Sequence, residues 1–260
     1  MTESIPTSRE ERRFVLITGA AGRIGSAFRR EMGDRYRLRL ADLRSNGLEN
    51  TPGASHEAIR LDVAEAVACK AACIGIDTVL HLAADPSPEA EWEESLLPNN
   101  IQGTVNIVRA AHAAGCRRII LASSVHAVAG YPWQPSIADD AAPRPVNLYG
   151  ASKAFGEAVL STYAANGLSG IAIRIGAYDA PWFHEHGTAR DATAYVSEGD
   201  LNDLIVRCIE TERIEYAIVA GVSNNQPNRF DLNLTRRLLG YAPQDDGFLV
   251  LSQKRGTGTR

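Results

Sequence analysis

Seven short runs of β-branched and aliphatic residues alternate with longer amphipathic stretches, and this alternation restricts the fold more than any other feature of the chain. The runs are RFVLIT (13–18), YRLRLAD (36–42), EAIRL (57–61), DTVLHLA (77–83), RRIILASS (117–124), GIAIRIG (170–176) and EYAIVA (215–220). Helical patterns fall between and after them, near 23–32, 63–72, 93–114, 147–166, 200–210 and 230–239. Strands separated by helices need crossover connections, which produce a parallel sheet with helices on both faces. The expected architecture is therefore α/β, a doubly wound parallel sheet of about seven strands, followed by a small C-terminal region that covers a substrate. Two long connections, the Pro-containing stretch 131–147 and the segment 177–199, are candidates for substrate contact because loops on a rigid scaffold carry such roles. The polar ends of the chain, 1–12 and 251–260 (SQKRGTGTR at its close), are expected to be mobile.

With 260 residues, 45% of them hydrophobic, the chain can bury a full core. A formal net charge of −4 and a sequence pI near 5.9, with no long basic run, argue against a nucleic-acid partner. No stretch has the apolar length of a membrane span, and MTESIPTSREERR lacks the apolar centre of a signal peptide, so a cytoplasmic protein with no membrane partner is expected. The four cysteines (Cys69, Cys73, Cys116, Cys208) have no paired zinc-type spacing and read as reduced, buried thiols. His184 and His186 in FHEHG have no carboxylate–histidine framework beside them, so no metal is expected.

ITGAAGRIG places Gly19, Gly22 and Gly25 directly after the first strand, with a helix starting near Arg23. Glycines there permit a tight turn and close approach of backbone to a pyrophosphate, while the helix N-terminus offers unpaired N–H groups and partial positive charge. Ala21, Arg23 and Ile24 belong to the same candidate cradle. Asp42, ending the second strand ahead of Leu43, stands where a carboxylate accepts from the adenosine ribose hydroxyls and repels a 2′-phosphate, which favours NAD over NADP. Asp62, next to Val63, is placed either to reach the adenine or to cap the following helix. Small residues in HLAA (Leu82, Ala83, Ala84 after His81) let a cofactor lie close over the fourth strand, whereas His81 reads as a satisfied core histidine. Ile175, near the end of the sixth strand, completes the candidate NAD surface of a Rossmann-type domain spanning 13–176, with 177–250 as the covering region that holds the last strand and helices.

LYGASKAFGEAVL (148–160) reads as a helix carrying Tyr149 and Lys153 one turn apart, so the phenol and the ammonium meet the same object. A nearby ammonium favours the phenolate, which predicts a lowered Tyr149 pKa and a usable base.

The glycine loop, Asp42, HLAA, Asn100 in NNIQGT, Ser123-Ser124 and YGASK follow one another in the order and spacing of the extended short-chain dehydrogenase/reductases, which residues 13–240 resemble. The resemblance implies Tyr149 as catalytic acid/base, Lys153 as its pKa-lowering partner and ribose ligand, and Ser124 as the hydroxyl that orients the substrate oxygen. It implies that Asn100 holds a helix distortion and a water for proton relay. DPSPEAEWEESLLPNNIQGT, ASSVHAVAGYP, PRPVNLYGASK and GYAPQDD resemble more closely the NAD-dependent sugar 1-dehydrogenases, a subgroup that includes uronate dehydrogenases and haloarchaeal glucose-6-phosphate and arabinose dehydrogenases. Val125 stands where that subgroup carries Asn before His126, and Tyr195 where it carries a bulkier pattern. By the same resemblance Arg190 grips a substrate carboxylate, with Val125, His126 and Ala177 beside it.

The function implied is NAD-dependent oxidation of C1 of an aldose or uronic acid to the lactone. A sugar epimerase or dehydratase, a reductase of another small carbonyl compound, and a non-catalytic NAD(P) sensor are the alternatives. The short stretch after the sixth strand favours a small, unactivated sugar over a nucleotide sugar. The aromatics Tyr131, Trp133, Tyr178, Trp182 and Phe183 either stack on a sugar face or close the loops over the core. Helices 93–114 and 147–166 are the pair that commonly forms a four-helix homodimer interface in this family, and the sequence leaves dimer and monomer both open.

Overall fold

The computed structural model describes residues 12–44, 48, 56–133 and 136–256. The strands are β1 (Phe14–Thr18), β2 (Arg37–Asp42), β3 (His56–Arg60), β4 (Thr78–His81), β5 (Arg118–Ser124), β6 (Ser169–Ile175), the two-residue strands β7 (Ala177–Tyr178) and β8 (Tyr195–Val196), and β9 (Tyr216–Gly221). Seven of them form one sheet in the order β3-β2-β1-β4-β5-β6-β9, with every pairing parallel. Central strands of such a sheet are covered on both faces, which is why β1 is buried at all five positions and why its sequence is apolar from Phe14 to Ile17. Val15 and Ile17 join an apolar cluster on one face, and Phe14 and Leu16 join another on the opposite face.

The helices are α1 (Arg23–Met32), α2 (Ala66–Ala72), α3 (Gly103–Ala113), α4 (Leu148–Ala164), α5 (Pro181–His186), α6 (Ala189–Ala192), α7 (Glu198–Glu210), α8 (Asn233–Leu239) and α9 (Gly247–Gly256). The helical pattern at 93–114 resolves into two windings. Trp92–Gln102, which contains Pro98, is wound wider, with Leu96 N–H donating to Glu91 O five residues back, and α3 continues it. A proline cannot donate within a helix, and the wider turn accommodates it.

Two expectations fail. The segment 177–199 is not an extended loop: β7 and β8 pair with each other, and α5 and α6 lie between them. The C-terminal stretch is helical through Gly256, because α9 packs its start against Tyr195 and the α6 region; residues 257–260 and 1–11 lie outside the described residues. All four cysteines are buried free thiols.

α4 is seated by specific contacts. Asn147 caps it, its side-chain oxygen accepting from Gly150 N–H at 2.7 Å. A Cβ on Gly150 would come within 2.4 Å of His126 O, so only glycine lets the helix approach the end of β5 this closely. Farther along, Glu157 is fully enclosed. It takes two 2.8 Å bonds from the Arg174 guanidinium on β6 and a 2.6 Å bond from Ser123 Oγ on β5. Arg174 also donates to Asp139 O and Ala141 O, tying the 131–147 connection to the same point.

Candidate active site

The strand order reverses between β1 and β4, and a crevice opens at the carboxyl ends of strands at such a switch point. Here it is a cavity of about 990 Å³, whose wall includes Arg23 and Ile24 at one end, Ser124, Tyr149 and Lys153 in the middle, and Arg190 at the other.

Ser124 is the last residue of β5, and its hydroxyl oxygen accepts from His126 N–H at 3.2 Å, starting a turn of 3₁₀ helix over Val125–Val128. Tyr149 lies in the first turn of α4, buried, with the His126 ring edge-on at 5.4 Å. Lys153 Nζ is 5.6 Å from the Tyr149 ring centre and donates to Ala122 O at 2.9 Å. The predicted lowering of the phenol does not hold. Burial pushes the Tyr149 pKa up, Asp85 adds to the rise, and a hydrogen bond from Ser124 opposes it. Lys153 is itself driven down to about 8 by desolvation, with Asp85 partly offsetting this. Burial also lowers His126, which leaves it neutral at pH 7.

Asn100 lies in the widened winding, as the resemblance implied. Its oxygen accepts from Asp85 N–H at 2.8 Å, and its amide donates to Asp85 O and to Ser152 Oγ, both at 3.1 Å. It stands behind the cavity wall and fixes the segment after β4 against α4. His81 is not fully satisfied. Thr18 Oγ1 accepts from Ala83 N–H (3.2 Å) and lies 2.7 Å from His81 Nδ1, the tautomer of the ring setting which of the two donates. His81 Nε2 is buried with no partner, and burial holds the His81 pKa down at about 3.

The cofactor end fits a dinucleotide. Gly19 has φ of +71°, and a Cβ there would come within 2.8 Å of Ala83 N, so the loop needs glycine to lie on the end of β4. The loop through Ala21 leads to Gly22 at the cap of α1, whose first-turn N–H groups have no acceptor within the helix and suit a phosphate. Gly25 presses on Ala20, bringing the helix against the loop. The Asp42 carboxylate accepts from Ala21 N–H (3.0 Å) and Arg44 N–H (3.1 Å), which holds it at the tip of β2 with lone pairs to spare for hydroxyls. Leu82, Ala84 and Ile175 line the cavity. Leu43 is exposed, Ala83 faces a small void beside Lys153, and Val63 is buried against α3, so these three stand outside the main wall. Asp62 does not cap α2: the cap position is Glu65, and Asp62 accepts from Ala64 N–H at 2.9 Å in a local turn.

At the substrate end, Val125, His126, Ala177, Trp133, Tyr178 and Trp182 line the cavity. Tyr131 donates its hydroxyl to Ala142 O, and Phe183 is buried against Tyr195, so these two aromatics close the loops. Tyr195 packs inward and never reaches the cavity. His184 bonds Asp179 at 2.5 Å, and among the described residues no group of three potential metal ligands occurs. Arg229 also lines the wall and was not legible: it follows the turn SNNQPN in a stretch with no periodicity to place it.

A family model described as the NAD dependent epimerase/dehydratase family matches residues 15–237. An NAD-dependent glucose-6-phosphate dehydrogenase of Haloferax volcanii is 37% identical over 250 residues, covering 89% of this chain and 93% of that one. A uronate dehydrogenase of Pseudomonas putida is 35% identical over 233 residues, covering 89% and 84%. Among solved structures, uronate dehydrogenase from Agrobacterium tumefaciens, as a mutant complexed with NAD, is similar with a TM-score of 0.84 at 30% identity, covering 95% of this chain and 91% of that one.

Proposed function

This chain belongs to the NAD-dependent epimerase/dehydratase family, and from that premise we propose that it is an NAD-dependent sugar dehydrogenase that oxidises C1 of an aldose or uronic acid to the lactone. The observation that carries the reading is the convergence of Ser124, Tyr149 and Lys153 on one cavity, with Arg23 and Ile24 at the start of α1 at one end and Arg190 at the other. When bound, NAD supplies the acceptor for the hydride leaving C1. Ser124 donates to the C1 oxygen and orients it, and Tyr149 takes the hydroxyl proton. Burial alone makes that phenol a poor base, so its competence depends on the Ser124 hydrogen bond and on the ammonium of Lys153 one turn away. Lys153 is anchored to Ala122 O and retains donors for a ribose hydroxyl. Asp42 accepts from the other ribose, which favours NAD over NADP. Arg190, at the far end, favours an anionic sugar because a guanidinium meets an oxyanion with two parallel charged bonds. Residues 177–250 serve as the region that covers the substrate.

Screening free sugars with NAD for growth of absorbance at 340 nm tests the activity. Replacing Tyr149 with Phe should lower turnover on any accepted sugar by about 10²–10⁴-fold, while NAD binding measured by titration is retained. Near-parental turnover in that variant would rule out Tyr149 as the base.

A further inference from the structure

Two guanidinium groups face the recognition end of the cavity, and a single indole joins them. Arg190 Cζ lies 5.5 Å from the Trp133 ring centre and Arg229 Cζ lies 4.6 Å from it. Neither has a carboxylate partner among the described residues. The acid next to Arg190, Asp191, is committed to the capping box with Thr188. Arg229 has its pKa depressed by burial and by the charge of Arg190.

Arg229 is also held in place. Its backbone N–H donates to Thr193 O at 2.9 Å, and its carbonyl accepts from Ile137 N–H at 2.8 Å, so it links the two connections that flank the cavity. Its Nη2 donates to Tyr131 O at 3.1 Å. Its Nη1 is enclosed and has no hydrogen-bond partner, whereas buried charged donors are ordinarily satisfied. The indole it stacks on is 57% exposed and lines the same cavity as both guanidinium groups.

We infer that Arg229 and Arg190 together form a binding site for a phosphate monoester dianion, which makes the substrate a sugar phosphate oxidised at its opposite end. This rests on the sugar-oxidising reading above for what occupies the reaction end. A carboxylate carries one charge and two oxygens, and one guanidinium fork satisfies it. A phosphate monoester is close to doubly charged at pH 7 and offers three terminal oxygens, so it needs donors from more than one direction. Two cations with no carboxylate partner among the described residues, one of them with an unused enclosed N–H group, match the second ligand and exceed what the first requires.

Two measurements test this. With NAD saturating, so that the phosphate-binding loop is filled, inorganic phosphate should raise the melting temperature above that in chloride of equal ionic strength. That shift should be lost in Arg229→Leu and in Arg190→Ala, and partly kept in Arg229→Lys, which retains charge without the fork. No shift in the parent, or a shift retained by both charge-removing variants, overturns the site. In steady-state assays the parent should oxidise glucose 6-phosphate with a kcat/KM at least about tenfold above that for glucuronate. Arg229→Leu should lose at least about tenfold more on glucose 6-phosphate than on glucose, mainly through KM. Equal losses on both would make Arg229 structural and overturn the inference. If none of these sugars yields NADH while the phosphate shift behaves as stated, the dehydrogenase reading fails and the anion site stands.

Discussion

At the scale of single residues, His81 shows how a side chain that reads as ordinary core acquires a measurable signature. The folded protein resists protonating it until about pH 3, whereas the unfolded chain takes up the proton near 6.5. Between those values the unfolded state binds more protons, so stability is present above pH 6.5 and drains away as pH falls toward 3. For this group alone the loss between pH 6.5 and pH 5 is about 2 kcal/mol. His81→Asn should therefore be less stable than the parent at pH 7, and the gap in urea unfolding free energy should close by about that amount by pH 5. A gap independent of pH would mean that His81 is not held neutral. The neutral ring was not readable from HLAA, because it depends on how deeply the sheet and α4 bury it and on the nearby charge of Lys153. Tyr149 carries the same lesson. Spacing placed it beside Lys153, but the sign of its pKa shift follows from depth of burial, which spacing does not encode.

At the scale of elements, the position of α4 decides where Tyr149 and Lys153 stand, and Glu157 fixes that position by joining β5, β6 and the 131–147 connection. Breaking a buried pair from one side leaves an uncompensated charge, typically worth about 3–5 kcal/mol. Glu157→Gln should lose stability of that order in chemical denaturation, and Glu157→Leu combined with Arg174→Met should recover most of it. If the double variant is as unstable as the single one, the contribution is packing and not charge. The seven sheet strands and the longer helices were legible because each repeats its apolar pattern over enough residues to define a period. The β7–β8 pair and α5 and α6 were not, since two to six residues are too few for a period to appear. α9 was misread because its closing residues are polar, while the contacts that hold its start come from Tyr195 and Ala192. Arg174 did carry a signal that passed unread: a lone charge inside the apolar run GIAIRIG implies a buried partner.

At the scale of the whole molecule, one cavity runs along the carboxyl edge of the sheet, from the N-terminus of α1 to the segments after β6 and β9. A ligand spanning that edge contacts crossovers from both halves of the sheet and should stabilise the fold as a unit. NAD at one hundred times its Kd adds about 2.7 kcal/mol, and at about 2–4 °C per kcal/mol for a domain of this size the melting temperature should rise by about 5–11 °C. NADP should give a smaller rise, and Asp42→Ala should narrow the difference; equal shifts for the two cofactors in the parent would remove Asp42 from the ribose. Trp133, Arg190 and Arg229 come from three separate connections, and none of them lies on a strand of the seven-stranded sheet. On the function proposed above, substitutions at these positions would alter which sugar is accepted one connection at a time, away from the sheet and from Tyr149 and Lys153 on α4.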